Sequence, residues 1–204
     1  MNQIRDAIKS GKLKPGDRII EADLANGMGI SRFPIREAIR YLEKEGLVAT
    51  TPFRGAQVAE YTQRDLEEIY SLRTALEELA IRTLIKDLDE EKIQKLESVV
   101  ETMKQATNET EIEKIVDTDL SFHRAICELS GNRRLLQAWL NLSHQIRTFI
   151  ALEDRLYGDD TPERTLETHY PVFEAIKQGD GDLAVRQMKK CISRGYKNVS
   201  KYYA

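Results

Sequence analysis

Apolar residues recur at helical spacing along most of this chain, but the interruptions divide it into two styles. Up to about residue 62 the pattern is short and heavily punctuated. Ile4, Ala7 and Ile8 mark one face of a helix that closes at Ser10-Gly11, and Pro15-Gly16 makes a turn. Ile19 and Ile20 predict a minimal extended piece, and Ala22, Leu24, Ala25 and Met28 a second helix. After the tight turn Gly29-Ile30, Ser31 is the N-cap candidate of a third helix. Pro34 falls in its first turn, where a missing N–H is harmless. Ile35, Ala38, Ile39 and Leu42 form its buried stripe and Gly46 ends it. Segments 47–51 and 56–59 predict two strands around Pro52-Phe53-Arg54-Gly55, a small hairpin.

From Asp65 onward the period is helical almost without pause. Leu66, Ile69, Tyr70, Leu72, Leu76, Leu79, Ala80 and Leu84 predict one apolar stripe. Further amphipathic stretches cover 90–105, 111–129, 133–156, 163–178 and 181–203, with only short connections between them. Long helices joined by short turns pack antiparallel. The expected fold is mainly α: a winged helix-turn-helix over 1–62, with a small β-hairpin wing, and an antiparallel all-α bundle over 63–204.

Composition changes this picture little. With 41% hydrophobic and 32% charged residues the 204-residue chain is globular rather than disordered. Its two cysteines, Cys127 and Cys191, make no disulfide framework, so a reducing cytoplasm is expected. No apolar run is long enough to span a membrane, and the first residues lack the apolar core of a signal peptide. Charge is more informative. The net −3 conceals ten Lys/Arg against eight acids in residues 1–62, a local +2, and −5 over the remainder. An excess of two charges is slight, so what matters is where the arginines fall.

Helix, tight turn, helix and hairpin, in that order, describe a winged helix-turn-helix, whose second helix enters the DNA major groove with its N-terminal residues against base edges. Here that end is Ser31-Arg32-Phe33-Pro34-Ile35-Arg36. Arg32, Arg36 and Arg40 recur every four residues and share a face away from the apolar stripe. An arginine can read guanine with two hydrogen bonds or hold a phosphate. Arg54, beside Gly55 at the hairpin tip, is placed to enter a minor groove. A merely solvated basic face is the competing reading, and it leaves the N-cap serine and the basic wing unexplained.

These residues also resemble a known family. Gly11-Lys12-Leu13-Lys14-Pro15-Gly16-Asp17-Arg18, Glu21-Ala22-Asp23-Leu24-Ala25, the run from Gly29 to Ile39 and Glu45-Gly46-Leu47-Val48 are similar to the N-terminal domain of GntR-family bacterial transcription regulators. The resemblance places Arg32, Arg36, Gly55 and Phe33 at DNA-contacting positions. Phe33 replaces the small polar residue usual there. The later segments Leu72-Arg73-Thr74-Ala75-Leu76-Glu77, Asp119 to Ile126, Ser130-Gly131-Asn132 and His169 to Ile176 resemble the FadR-type ligand-binding domain, FCD. The resemblance implies an effector-responsive homodimer on double-stranded operator DNA, often with a metal in the bundle.

Spacing bears on the metal as well. Asp119 and His123 are four residues apart and project from one helical face, a pair suited to a divalent ion. His169 lies on another helix. The family's third histidine, twenty-two residues further on, is Cys191 here. Ala184, Met188 and Cys191 share a face, which points Cys191 inward. Asp119, His123, His169 and Cys191 make a reasonable zinc set, with nickel or manganese as alternatives and a buried, metal-free cysteine as the competing reading. Cys127 is out of phase and expected in the core, and His144 at the flank.

Arg73 and Arg147 fall on apolar stripes, where a charge requires a partner. Either an acid such as Glu77 or Glu78 supplies it, or the arginine serves an anionic effector. Since the family binds many organic and sugar acids, a carboxylate is the expected effector. The expected function is a transcriptional regulator, a repressor on a palindromic operator. The competing class is a metal-dependent, hydrolase-like enzyme with a nucleic-acid-binding appendage. It lacks a metallohydrolase glutamate beside a histidine pair, a phosphate loop and a nucleophile motif.

Overall fold

A computed structural model describes residues 2–9, 12–44, 46–51, 55–106, 112–157 and 162–203. The chain divides into two compact units, Met1–Thr62 and Gln63–Ala204. The first contains α1 (Asn2–Lys9), β1 (Arg18–Ile19), α2 (Glu21–Met28), α3 (Arg32–Lys44), β2 (Val48–Thr51) and β3 (Gly55–Val58). Its core gathers one face of each: Ile4, Ile19, Ala25, Ile35, Ala38, Ile39, Leu42, Val48, Ala56 and Val58 are buried. The turn between α2 and α3 depends on Gly29, whose φ of 65° is left-handed and lets the chain reverse while Ile30 N–H donates to the Ala25 carbonyl.

The hairpin expected from β2 and β3 is present, pairing Val48 with Val58 and Thr51 with Gly55. The sheet nevertheless has three strands in the order β1-β3-β2, because Arg18 and Ile19 pair antiparallel with Gln57 and Ala56. Two residues carry no alternation to read, so the extended piece was legible but its partner was not. Arg54 lies outside the described residues.

The second unit is a helical bundle of α4 (Gln63–Lys86), α5 (Glu90–Gln105), α6 (Ile112–Leu129), α7 (Arg133–Tyr157), α8 (Pro162–Lys177) and α9 (Gly181–Tyr203). The helix α4 packs against α6, α7 and α9, while α8 packs against α5, α6 and α9. Phe122, Ile126, Trp139, Ile146, Phe149, Val172, Ile176, Ala184 and Met188 fill the space between them. Asp89, Asn132 and Asp180 each accept a backbone N–H three residues ahead, which satisfies the first turns of α5, α7 and α9.

The apolar stripe expected on α4 needs a correction. Leu72 and Leu79 are each 49% exposed, whereas Arg73 and Glu77 occupy the interior beside Leu66, Ile69, Tyr70, Ala80, Ile81 and Leu84. The buried line advances by three or four residues per turn, and Leu72 and Leu79, seven apart, lie on a neighbouring line. No helix among the described residues is long and apolar enough to cross a membrane.

Candidate functional site

The polar interior of the bundle is built outward from Glu77. Its Oε1 accepts from Arg73 Nε (3.0 Å) and Trp139 Nε1 (2.9 Å), and its Oε2 lies 2.6 Å from His123 Nδ1. All four side chains are buried. Burial alone would raise the Glu77 carboxyl, but His123 and Arg73 outweigh it and hold the group down at about 2. It is therefore an acceptor on both oxygens, and His123 Nδ1 carries a proton. His169 on α8 is fixed in the same sense, since its Nδ1 lies 2.6 Å from the Thr165 carbonyl oxygen, which can only accept. With both Nδ1 positions protonated, each imidazole turns its Nε2 toward the other at 3.0 Å.

Two facing lone pairs repel unless a proton or a metal ion lies between them. The surroundings supply negative charge for either. Cys191 Sγ is 3.5 Å from His169 Nε2, and the donor atoms of His123, His169 and Cys191 all fall within 4.8 Å of one another. Asp119 Oδ2 is 3.2 Å from His169 Nε2, and Oδ1 is 3.7 Å from His123 Nε2. Asp119 Oδ1 is buried without a hydrogen-bond partner among the described residues. Tetrahedral zinc places nitrogen and sulfur ligands about 3.5 Å apart and nitrogen or oxygen pairs about 3.3 Å apart. The donors of His123, His169 and Cys191 fit such an ion in type and spacing, with Asp119 beside the two histidines and with Glu77 and the Thr165 carbonyl orienting the imidazoles from behind.

Protonation follows the same charges. Burial disfavours an imidazolium, yet Cys191 and Asp119 hold His169 well above its ordinary value, and Glu77 raises His123 against burial and Arg73. Burial also opposes ionisation of Cys191, but His169 and His123 draw the thiol down to about 6. Asp119, despite its burial, is held below the usual carboxylate range, chiefly by His169. Burial raises the Cys127 thiol, which is fully enclosed in the core as expected.

Of the arginines expected to meet an effector, Arg73 is 3% exposed and lies at the cluster, with Nη2 4.0 Å from Asp119 Oδ1. Arg147 is elsewhere. Its side chain is 41% exposed and it pairs with Asp117. Sequence reasoning named Glu77 only as a partner for Arg73. It missed that this carboxylate also orients His123, and it missed Trp139. The four-residue step from Arg73 to Glu77 on a buried face was the available signal.

In the first unit, α3 presents its charges to solvent. Ser31, Arg32, Phe33, Arg36 and Arg40 are all exposed. Arg36 Nε donates to Glu21 Oε2 (2.7 Å) and Arg40 Nη1 to Glu37 Oε1 (3.1 Å). At Gly55, the first residue of β3, φ is 82°, a value side chains rarely adopt.

A winged helix-turn-helix carrying an arginine-lined helix, followed by a helical bundle with a buried polar cluster, is the architecture of a DNA-binding transcriptional regulator. Comparison with known sequences makes this specific: residues 1–58 match the bacterial regulatory proteins of the gntR family, and residues 68–194 match the FCD domain. The chain belongs to the GntR family of transcriptional regulators. It is 36% identical over 184 residues to the uncharacterized HTH-type transcriptional regulator YdhC of Bacillus subtilis, covering 90% of this chain and 81% of that protein. It is 29% identical over 191 residues to the gluconate operon transcriptional repressor of Bacillus licheniformis, covering 91% and 77%. Its fold is that of Escherichia coli McbR/YncC, with a TM-score of 0.74 and 24% identity over 100% of this chain and 96% of the other.

Proposed function

We propose that the chain is a cytoplasmic repressor that binds a palindromic operator as a homodimer and responds to a carboxylate effector at a zinc-assisted site. In this reading residues 1–62 hold the DNA through Ser31, Arg32, Phe33, Arg36, Arg40, Arg54 and Gly55. Residues 63–204 hold the ion through Asp119, His123, His169 and Cys191. The observation that supports the metal is the convergence of His123 Nε2, His169 Nε2 and Cys191 Sγ, with the two Nε2 atoms 3.0 Å apart and each imidazole fixed by an acceptor behind it. Thiolate among the donors favours zinc over manganese, with nickel intermediate.

Arg73 is the effector's anchor in this proposal, beside the ion and inside the bundle. Arg147 would join only by exchanging Asp117 for the effector. A relative named as a gluconate operon repressor supports both repression and a sugar-acid ligand. Leu72 and Leu79, large and exposed one heptad apart, support pairing of two copies.

Metal analysis of the purified full chain tests the site, and gel-shift titration against DNA selected from a random pool, with and without gluconate, tests the regulation. A chain that takes up no zinc, nickel or manganese would overturn the metal. Failure to select any DNA would overturn the operator reading.

A further inference from the structure

Phe33 has the highest exposure among the large hydrophobic side chains described, at 73%, against 52% for Ile20 and Tyr41. A single exposed apolar residue is ordinary on a protein surface. Its position on α3 is not. At about 100° of rotation per residue, Phe33 points opposite the mean direction of the buried Ile35, Ala38, Ile39 and Leu42, and within about 20° of Arg40. Arg36 lies about 60° to one side and Arg32 about 100°. The phenyl ring therefore occupies the outermost line of the helix, at its first turn, with exposed arginines beside it.

This is the part of a reading helix that reaches the floor of a major groove. A phenyl ring offers no donor or acceptor, so it cannot read the hydrogen-bond pattern of a base edge. The apolar feature displayed in the major groove is the C5-methyl of thymine. The arginines supply the complement to phosphate and guanine that brings the groove to the ring. We infer that Phe33 is a specificity-determining residue that recognises a thymine in each operator half-site through its methyl group. The inference rests on the proposed DNA-binding role of α3 and adds to it the base that is read.

Replacing thymine with deoxyuracil removes that methyl and leaves every hydrogen-bonding group in place. The probe is a duplex recovered by the full-length protein from a randomised pool, resynthesised with uracil at one thymine position at a time. At one position per half-site, uracil should weaken binding about fourfold, the value of one buried methyl. Phe33→Ser, which carries no methyl group, should bind the thymine and uracil duplexes alike, and Phe33→Leu, which stays apolar, should keep a preference for thymine. Circular dichroism should show all three proteins equally folded, since the side chain is exposed. Sequence-selective binding with no position sensitive to uracil overturns the inference while leaving the DNA-binding role intact. So does a Phe33→Ser variant that discriminates as wild type does. If the wild-type protein enriches no sequence at all, both the role and the inference fall.

Discussion

Arg36 on α3 and Arg73 on α4 each hold a glutamate through Nε, at 2.7 and 3.0 Å. Distance alone would rank the Arg36–Glu21 pair as the stronger. Surroundings reverse that order. The Arg36 side chain is 59% exposed, so water and salt compete for both partners, and such pairs contribute about 0–1 kcal/mol. Arg73 and Glu77 have lost their water, and each depends on the other and on His123, Trp139 and Asp119. The exposed arginine can exchange its glutamate for a phosphate or a guanine at little cost. The buried one cannot exchange anything without a replacement anion, which is what a carboxylate effector would bring. One residue type is thus open to exchange in the first unit and held in place by its buried partners in the second.

The largest test of this contrast is Glu77→Ala. It leaves Arg73, His123 and Trp139 without their acceptor, and removing one member of a buried ion pair costs about 3–5 kcal/mol. Urea denaturation of the metal-free protein should show that loss, and a change below about 1 kcal/mol would make the buried cluster no different from a surface pair. Acid should act on the same group. Since the folded-state value of Glu77 is depressed to about 2, its stabilisation is present above the ordinary carboxylate value and is lost as pH falls toward 2. The histidines run the other way: raised in the folded protein, they stabilise below their ordinary value of 6.5, and this is lost as pH rises through the folded one.

Metal binding sharpens the comparison from inside the bundle. His123→Ala should lower zinc affinity by at least about 100-fold, and Glu77→Gln, at a residue that would reach the ion only through His123, by about 10- to 100-fold. Cys191→Ala should fall between wild type and His123→Ala. Because zinc displaces the protons held on His123 and His169, affinity should rise with pH through the histidine range. The Cys191 thiol, already drawn down to about 6, releases little more above neutrality. Equilibrium dialysis at several pH values measures both. A Cys191→Ala protein with wild-type affinity would leave the cysteine as core and the ion with Asp119 and the two histidines.

Much of this was legible in the residues. The 90–105 stretch read from its apolar period coincides with α5, and the other bundle helices fall within one or two residues of their expected ends. Asp119 and His123 could be paired because a four-residue step on a helix fixes direction, whereas His169 and Cys191 were picked out by the family resemblance, with Ala184 and Met188 sharing a face with Cys191. What stayed hidden depends on tertiary partners. A two-residue strand gains its identity only from Gln57 and Ala56 across the sheet. The Thr165 contact to His169 comes from a backbone carbonyl, which any residue would supply. Leu72 and Leu79 look like core because a leucine stripe does not say which of two adjacent lines turns inward.

On the exposed side, Arg36→Ala should weaken operator binding about 10- to 100-fold, the range for a lost bidentate base contact of about 1–3 kcal/mol. Thermal stability should scarcely move, because the pair it breaks is a surface pair. The joint outcome is what separates it from Glu77→Ala, in which stability falls first and DNA binding only through it. Melting curves and gel shifts on the same preparations distinguish the two. An Arg36→Ala protein that loses stability to the extent of Glu77→Ala would mean that α3 relies on its surface ion pair for folding.

The smallest effect is expected for Glu21→Ala, and its sign carries the information. Glu21 is the first residue of α2, where a carboxylate favours the helix dipole by about 0.3–1 kcal/mol, and its bond to Arg36 adds no more than a surface pair. Stability should therefore drop by about 2 kcal/mol at most. DNA binding should tighten, by up to about fivefold at low salt, because the variant removes a negative charge that competes with phosphate for Arg36. The gain should shrink as added salt screens the charge. If Glu21→Ala instead weakens binding as much as Arg36→Ala does, the glutamate is orienting the guanidinium toward the groove. The exposed pair would then be positioned in the same way as Glu77 and His123, and solvent exposure alone would no longer separate the arginine that reads from the arginine that builds.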